Sequence, residues 1–252
     1  MKYSTMYCNK GVIVRLRQAL DTLVIIPVLL ILSVPLLTSY DIGSQSLADT
    51  MWSNIFGRLS SGNIQSVILS FTAICCILIF ILIYGTYITR KNCTLIIIRV
   101  GCRAFWAVSE IMWLMVYALL YSVILSGMNI WICTRSIGDV VVDKEAFLTA
   151  ILIAGILFSA IFFFTLIVNW ITLKVGIAIS IMIVFAFILV LEIIGILYFD
   201  QAVDMVLNPM CLNYKMIQNS SYMILKTLVN GLYIICAAII LLRSLKRTDI
   251  VV

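Results

Sequence analysis

The chain has 252 residues, 64% of them hydrophobic and 11% charged, with a mean hydropathy of +1.19 and a net charge of +6. A water-soluble core cannot absorb so much apolar sequence, and several runs exceed the roughly 18 residues that a bilayer-crossing helix requires. The cations are read by where they flank those runs, which points to lipid headgroups and gives no nucleic-acid signal.

In chain order, residues 1–22 carry Lys2, Lys10, Arg15 and Arg17 against Asp21. Val12, Ile13, Leu16, Ala19 and Leu20 recur there at helical spacing, which predicts a cytoplasmic amphipathic segment lying in the interface. The apolar run 23–37 follows mostly polar residues and has no small-residue cleavage site, so it is expected to persist as a helix rather than leave as a signal peptide. It opens a first span, 23–40, bent by Pro27 and Pro35. The polar stretch 41–63, with Arg58 as its one cation, is predicted to be an external loop. Spans two and three follow at 64–87 and 107–126.

Residues 127–145 hold Arg135 and Lys144 but also Asp139, Asp143 and Glu145, and read as a second external loop. Spans four and five, 146–170 and 175–199, are separated only by Ile171, Thr172, Leu173 and Lys174, which predicts a tight antiparallel hairpin turning on the cytoplasmic side. From 200 to 222 the chain is mixed and broken at Pro209, as in an external re-entrant segment. The sixth span, 223–242, ends in Arg243, Lys246 and Arg247. Twelve of the 17 Lys and Arg fall on predicted inner segments and four on outer ones, with Lys226 just within the sixth span. That bias predicts an all-α membrane protein of six transmembrane helices with both termini cytoplasmic. It divides into a cytoplasmic segment 1–22, a membrane domain 23–243 and a basic tail 244–252.

The loop 88–106, between spans two and three, carries Arg90, Lys91, Arg99 and Arg103 and no acid. Leu95, Ile96, Ile97, Ile98 and Val100 form an apolar patch, flanked by Arg99 and Arg103 one turn apart, as in a short helix lying among headgroups. Two duties fit it: anchoring the helices at the inner face, or docking a cytoplasmic subunit. Trp52, Trp106, Trp113, Trp131 and Trp170 mostly lie near predicted span ends, where the indole ring favours the interface.

Catalytic signatures are missing. There is no GxxxxGK[ST], GxSxG or HExxH, so nucleotide hydrolysis and common hydrolase chemistry are not encoded, and the chain is expected to be non-catalytic without a cofactor of its own. Histidine is absent, which removes the commonest zinc ligand and the usual neutral-pH proton carrier. The eight cysteines show no metal spacing, and most read as small core residues. Cys133 and Cys211 both fall in predicted external segments, where either a disulfide or two free thiols is possible. Glu110, seven residues after Arg103, reads as an interfacial ion-pair partner. Glu192 lies about three-quarters of the way through the fifth span, where a carboxylate is costly. It serves either a translocation path or an interhelical hydrogen bond.

The stretch IIIRVGCRAFWAVSEIMWLMVYALLYSVIL, 96–125, resembles membrane subunits of bacterial ATP-binding-cassette type-2 permeases, including those beside peptide-export and antimicrobial-peptide-resistance ATPases. These show an Arg-x-Gly-Ser-Arg-like segment, then an aromatic residue and a lysine. Arg99, Gly101, Arg103 and Trp106 match; Cys102 replaces the serine and Glu110 stands near the lysine. The resemblance spans about thirty residues, and beyond them rests on layout. It implies a permease subunit in the bacterial cell membrane, working with a second permease subunit, identical or different, and a pair of separate ATPase subunits that hold the ATP and Mg. It also implies a coupling segment containing Arg99, Gly101, Arg103 and Trp106. A secondary transporter or substrate-binding membrane subunit using Glu192 is the alternative.

Overall fold

In a computed structural model, residues 46–56, 75–82, 103–137, 142–197, 209 and 220–247 are described. Among them the ordered elements are all helices: α1 (Leu47–Phe56), α2 (75–82), α3 (Arg103–Ile137), α4 (Lys144–Val175), α5 (Ile177–Leu197) and α6 (Ser220–Arg247). Three contain stretches long and apolar enough to cross a membrane: Ala107–Arg135, Lys144–Val175 and Ile224–Leu245, of 29, 32 and 22 residues. At 1.5 Å per residue these reach about 33–48 Å, against a hydrocarbon core of about 30 Å. Their outward faces are apolar as well. Ile224, Leu228, Leu232, Ile235 and Ile239 form one exposed stripe down α6, a surface suited to lipid.

Helix α4 is the centre. It packs against α1, α3, α5 and α6, and its buried residues run from Ala146 to Asn169. Both ends are fixed locally. The Asp143 carboxylate accepts from the Ala146 N–H at 2.8 Å, with Glu145 in the first turn and Lys174 in the last, so the charges complement the helix dipole.

Cross-contacts set the directions. Ser126 donates to the Ala150 carbonyl at 2.7 Å, so α3 and α4 form an antiparallel hairpin. Phe164 meets Phe187 edge-on at 6.3 Å, which folds α5 back along α4. Asn230 pairs with Ser159, Tyr233 with Phe163 and Ser244 with Trp170, so α6 runs parallel to α4. The start of α3, the α4–α5 turn and the end of α6 therefore share one end of the bundle. The end of α3 and the starts of α4 and α6 share the other.

The expected hairpin between spans four and five is present, but its turn is narrower and later than residues 171–174. Helix α4 continues to Val175, and a single residue, Gly176, reverses the chain at φ 90 and ψ 168. Its N–H donates to the Thr172 carbonyl at 3.2 Å, and the Thr172 and Ser180 hydroxyls meet at 2.7 Å across the turn.

Two expected loops are partly helical. Helix α3 runs on past Ser126 to Ile137, because Ser126, Asn129 and Thr134 find hydrogen-bond partners and do not stop it. Within the expected loop 41–63 lies α1: Ser46 caps it by accepting from the Asp49 N–H at 3.2 Å, and Met51, Trp52 and Ile55 are enclosed. Trp52 is thus a core side chain, whereas Trp131 is exposed near the end of α3. Among the cysteines, most of which were expected to be small core residues, Cys76 and Cys133 are buried, whereas Cys236 is exposed on α6. Helix α6 extends four residues beyond the expected boundary at 243. The amphipathic segment 1–22 and the first span lie outside the described residues, as does the re-entrant segment apart from Pro209, a buried turn residue.

The backbone at Gly176 lies where only glycine is comfortable, and nothing within 4 Å would clash with an added Cβ. Gly176→Ala should therefore cost about 1–3 kcal/mol through backbone strain alone. Gly155→Ala, in open space within α4, should be neutral or stabilising. Thermal unfolding in detergent distinguishes the two.

Candidate functional site

Charge is unevenly divided between the ends of the bundle. Arg103 begins α3, Lys174 lies in the last turn of α4, and Arg243, Lys246 and Arg247 close α6, with no acid among those terminal turns. The opposite end holds Arg135 and Lys144 together with Asp143 and Glu145. At the basic end α4 and α6 are joined by a polar contact: Trp170 Nε1 donates to Ser244 Oγ at 3.0 Å, and the Lys174 ammonium sits 4.5 Å from the centre of the Trp170 ring. This end receives whatever precedes Arg103 in the chain, namely the segment carrying Arg99 and Gly101.

Polar side chains inside the bundle form two layers. Near the other end, Asn129 donates to the Met51 carbonyl at 2.7 Å and accepts from Asn54 Nδ2 at 2.7 Å, joining α1 to α3. The Cys133 thiol joins this group, 3.5 Å from Asn129 Oδ1 and 3.8 Å from Asn54 Nδ2. Midway along α4, Asn230 Nδ2 donates to Ser159 Oγ at 3.0 Å, and Lys226, one turn earlier on α6, is only 3% exposed. Asn54 Oδ1 and Asn230 Oδ1 are buried without a hydrogen-bond partner, as is Asn169 Oδ1 further along α4. In a medium without water, such groups tie helices together where paired and mark costly positions where not. Among the described residues no group of three or more His, Cys, Asp or Glu gathers to hold a metal.

The residues singled out by sequence fall as follows. Arg99, Gly101 and Cys211 lie outside the described residues; Arg103 is the first residue of α3, and Trp106 follows within its first turn. Glu192 is carried by α5, four residues after the buried Ile188 and eight after the buried Val184. Cys133 is a free, buried thiol on α3 rather than a loop residue. Sequence reasoning missed Asn54, Asn129, Ser159 and Asn230. One signal was legible: Ser46, an N-cap residue with the acidic Asp49 three residues later, stands ahead of Leu47, Met51 and Ile55 at four-residue spacing, which marks α1 and so places Asn54 on a helix. Lys226 was visible as a charge in an apolar run, but its inward face was not.

Comparison of the chain with protein-family models, with characterised proteins and with solved structures gives no match. The candidate site therefore rests on its own geometry.

Asn129→Ala removes the group that both accepts from Asn54 and donates to α1, leaving a buried amide unpaired at a cost of about 1–3 kcal/mol. The expected result is a lower unfolding temperature and faster labelling of Cys133 by a membrane-permeant maleimide. Unchanged labelling would show that α1 is not held through Asn129.

Proposed function

We propose that this chain is the membrane-embedded permease subunit of an ATP-binding-cassette transporter in a bacterial plasma membrane. In this reading it crosses the bilayer six times with both ends in the cytoplasm, beside a second permease subunit, identical or different. It moves a hydrophobic or amphipathic substrate, peptide export or antimicrobial-peptide immunity being the role the resemblance favours. It performs no hydrolysis: ATP and Mg belong to a separate ATPase pair.

The observation that carries the reading is the gathering of Arg103, Lys174, Arg243, Lys246 and Arg247 at one end of the bundle. Positive charge resists translocation, so that end faces the cytoplasm. It is also where the segment 92–106 joins α3. Closure of the ATPase pair on ATP would push on this segment through Arg99, Gly101, Arg103 and Trp106. The thrust then enters a 35-residue helix, α3, which is bonded to α4 through Ser126 and to α1 through Asn129. A displacement at Arg103 thereby reaches the far end of the bundle as a movement of whole helices, and access to a substrate path changes without chemistry on this chain.

The test is copurification of the full chain with a P-loop ATPase from the native host, followed by ATPase and transport assays. Arg99→Glu and Arg103→Glu should each weaken ATPase retention by about tenfold or more, because they place like charge where opposite charge is needed. Full retention and turnover in both variants would remove the docking role. Transport driven by a proton gradient without any ATPase would replace this reading with secondary transport.

A further inference from the structure

We propose that the groove between α4 and α6 at the basic end of the bundle holds an anionic phospholipid, its phosphodiester set between Lys174 and Arg243 and an acyl chain laid along the groove beneath them. Such a site is independent of any cargo or ATPase.

Three cross-contacts fix how the two parallel helices face each other: Ser159 with Asn230, Phe163 with Tyr233 and Trp170 with Ser244. At about 100° per residue, Phe163, Ile167 and Lys174 turn away from Ser159 in one sense round α4, while Tyr233, Ile240 and Arg243 turn away from Asn230 in the other sense round α6. Opposite senses on parallel helices border the same side, so both sets line one groove. Phe163 and Ile167 are only partly buried, Ile240 is 42% exposed, and Lys174 and Arg243 at the mouth are exposed. The floor is therefore apolar and the mouth cationic.

The mouth is built from fixed parts. Trp170 Nε1 donates to Ser244 Oγ at 3.0 Å and joins the two walls, and the Lys174 ammonium is held 4.5 Å from the centre of the same indole ring. Arg243 stands on the opposite wall, next to Ser244 in the chain. An indole ring favours the headgroup boundary, which puts both cations at the depth of lipid phosphates, and basic pockets between membrane helices bind anionic headgroups. Inorganic phosphate would satisfy the cations but leave the Phe163, Ile167 and Ile240 surface unused; a phospholipid covers both.

Thermal unfolding of the full-length protein in a non-ionic detergent tests the site, with phosphatidylglycerol, phosphatidylcholine or inorganic phosphate added at equal concentration and ionic strength. Saturating phosphatidylglycerol should raise the unfolding temperature by about 5 °C and the other two should leave it unchanged. Lys174→Gln and Arg243→Gln should each remove at least half of that rise, whereas Arg135→Gln and Lys144→Gln at the other end should keep it whole. The proposal is overturned if phosphatidylcholine or inorganic phosphate gives the same rise, if phosphatidylglycerol gives none, or if all four variants respond alike.

Discussion

Every described long helix is tied to α4 by a polar contact as well as by packing, and the rest of the architecture depends on this. Ser126 holds α3 through the Ala150 carbonyl, Ser180 holds the start of α5 through Thr172, and Asn230 and Ser244 hold α6 at two heights. Apolar faces give no net drive to associate when the alternative is lipid, so close packing and interhelical hydrogen bonds must supply it. Each such bond contributes about 0.5–1.5 kcal/mol. Their spacing also fixes register, because a helix sliding by one turn would leave both polar partners buried and unpaired.

The same requirement explains why function is sought at particular places. Buried polar groups without a partner are expensive, so the lone oxygens of Asn54, Asn169 and Asn230 stand out among the described residues, as does the burial of a cation, Lys226. At the bundle's basic end the cost is smaller, since a cation at the end of a membrane helix can reach headgroups and water. A mechanical input fits that end and a selective interior fits the polar layers. Rigid helices register-locked to α4 join the two, and the permease reading depends on that connection.

Much of the helical framework was legible in the sequence, and the failures have physical causes. Uninterrupted apolar runs announced α4, α5 and α6, and the short gap between spans four and five announced their hairpin. The boundary of α3 was misplaced because Gly127, Asn129 and Thr134 look like loop residues by composition. In a packed bundle their polar groups are satisfied by neighbouring helices and the helix continues. Helix α1 was read as external loop for the same reason, although its N-cap serine and apolar spacing were in plain view. The interior site was less legible: Asn230 and Ser159 are 71 residues apart, and no local pattern reveals which faces of two helices will meet. Arg99 and Gly101, which carry the docking proposal, lie outside the described residues.

Sidedness of the two ends of α4 tests the central claim most directly. In a cysteine-free background, Lys174→Cys, Lys246→Cys and Glu145→Cys variants are exposed to a membrane-impermeant maleimide in right-side-out and inside-out vesicles. The account predicts that positions 174 and 246 label together, only in inside-out vesicles, while position 145 labels only in right-side-out ones. Labelling of 174 and 246 from opposite faces, or of both from outside, would contradict a parallel α4–α6 pair with its basic end in the cytoplasm.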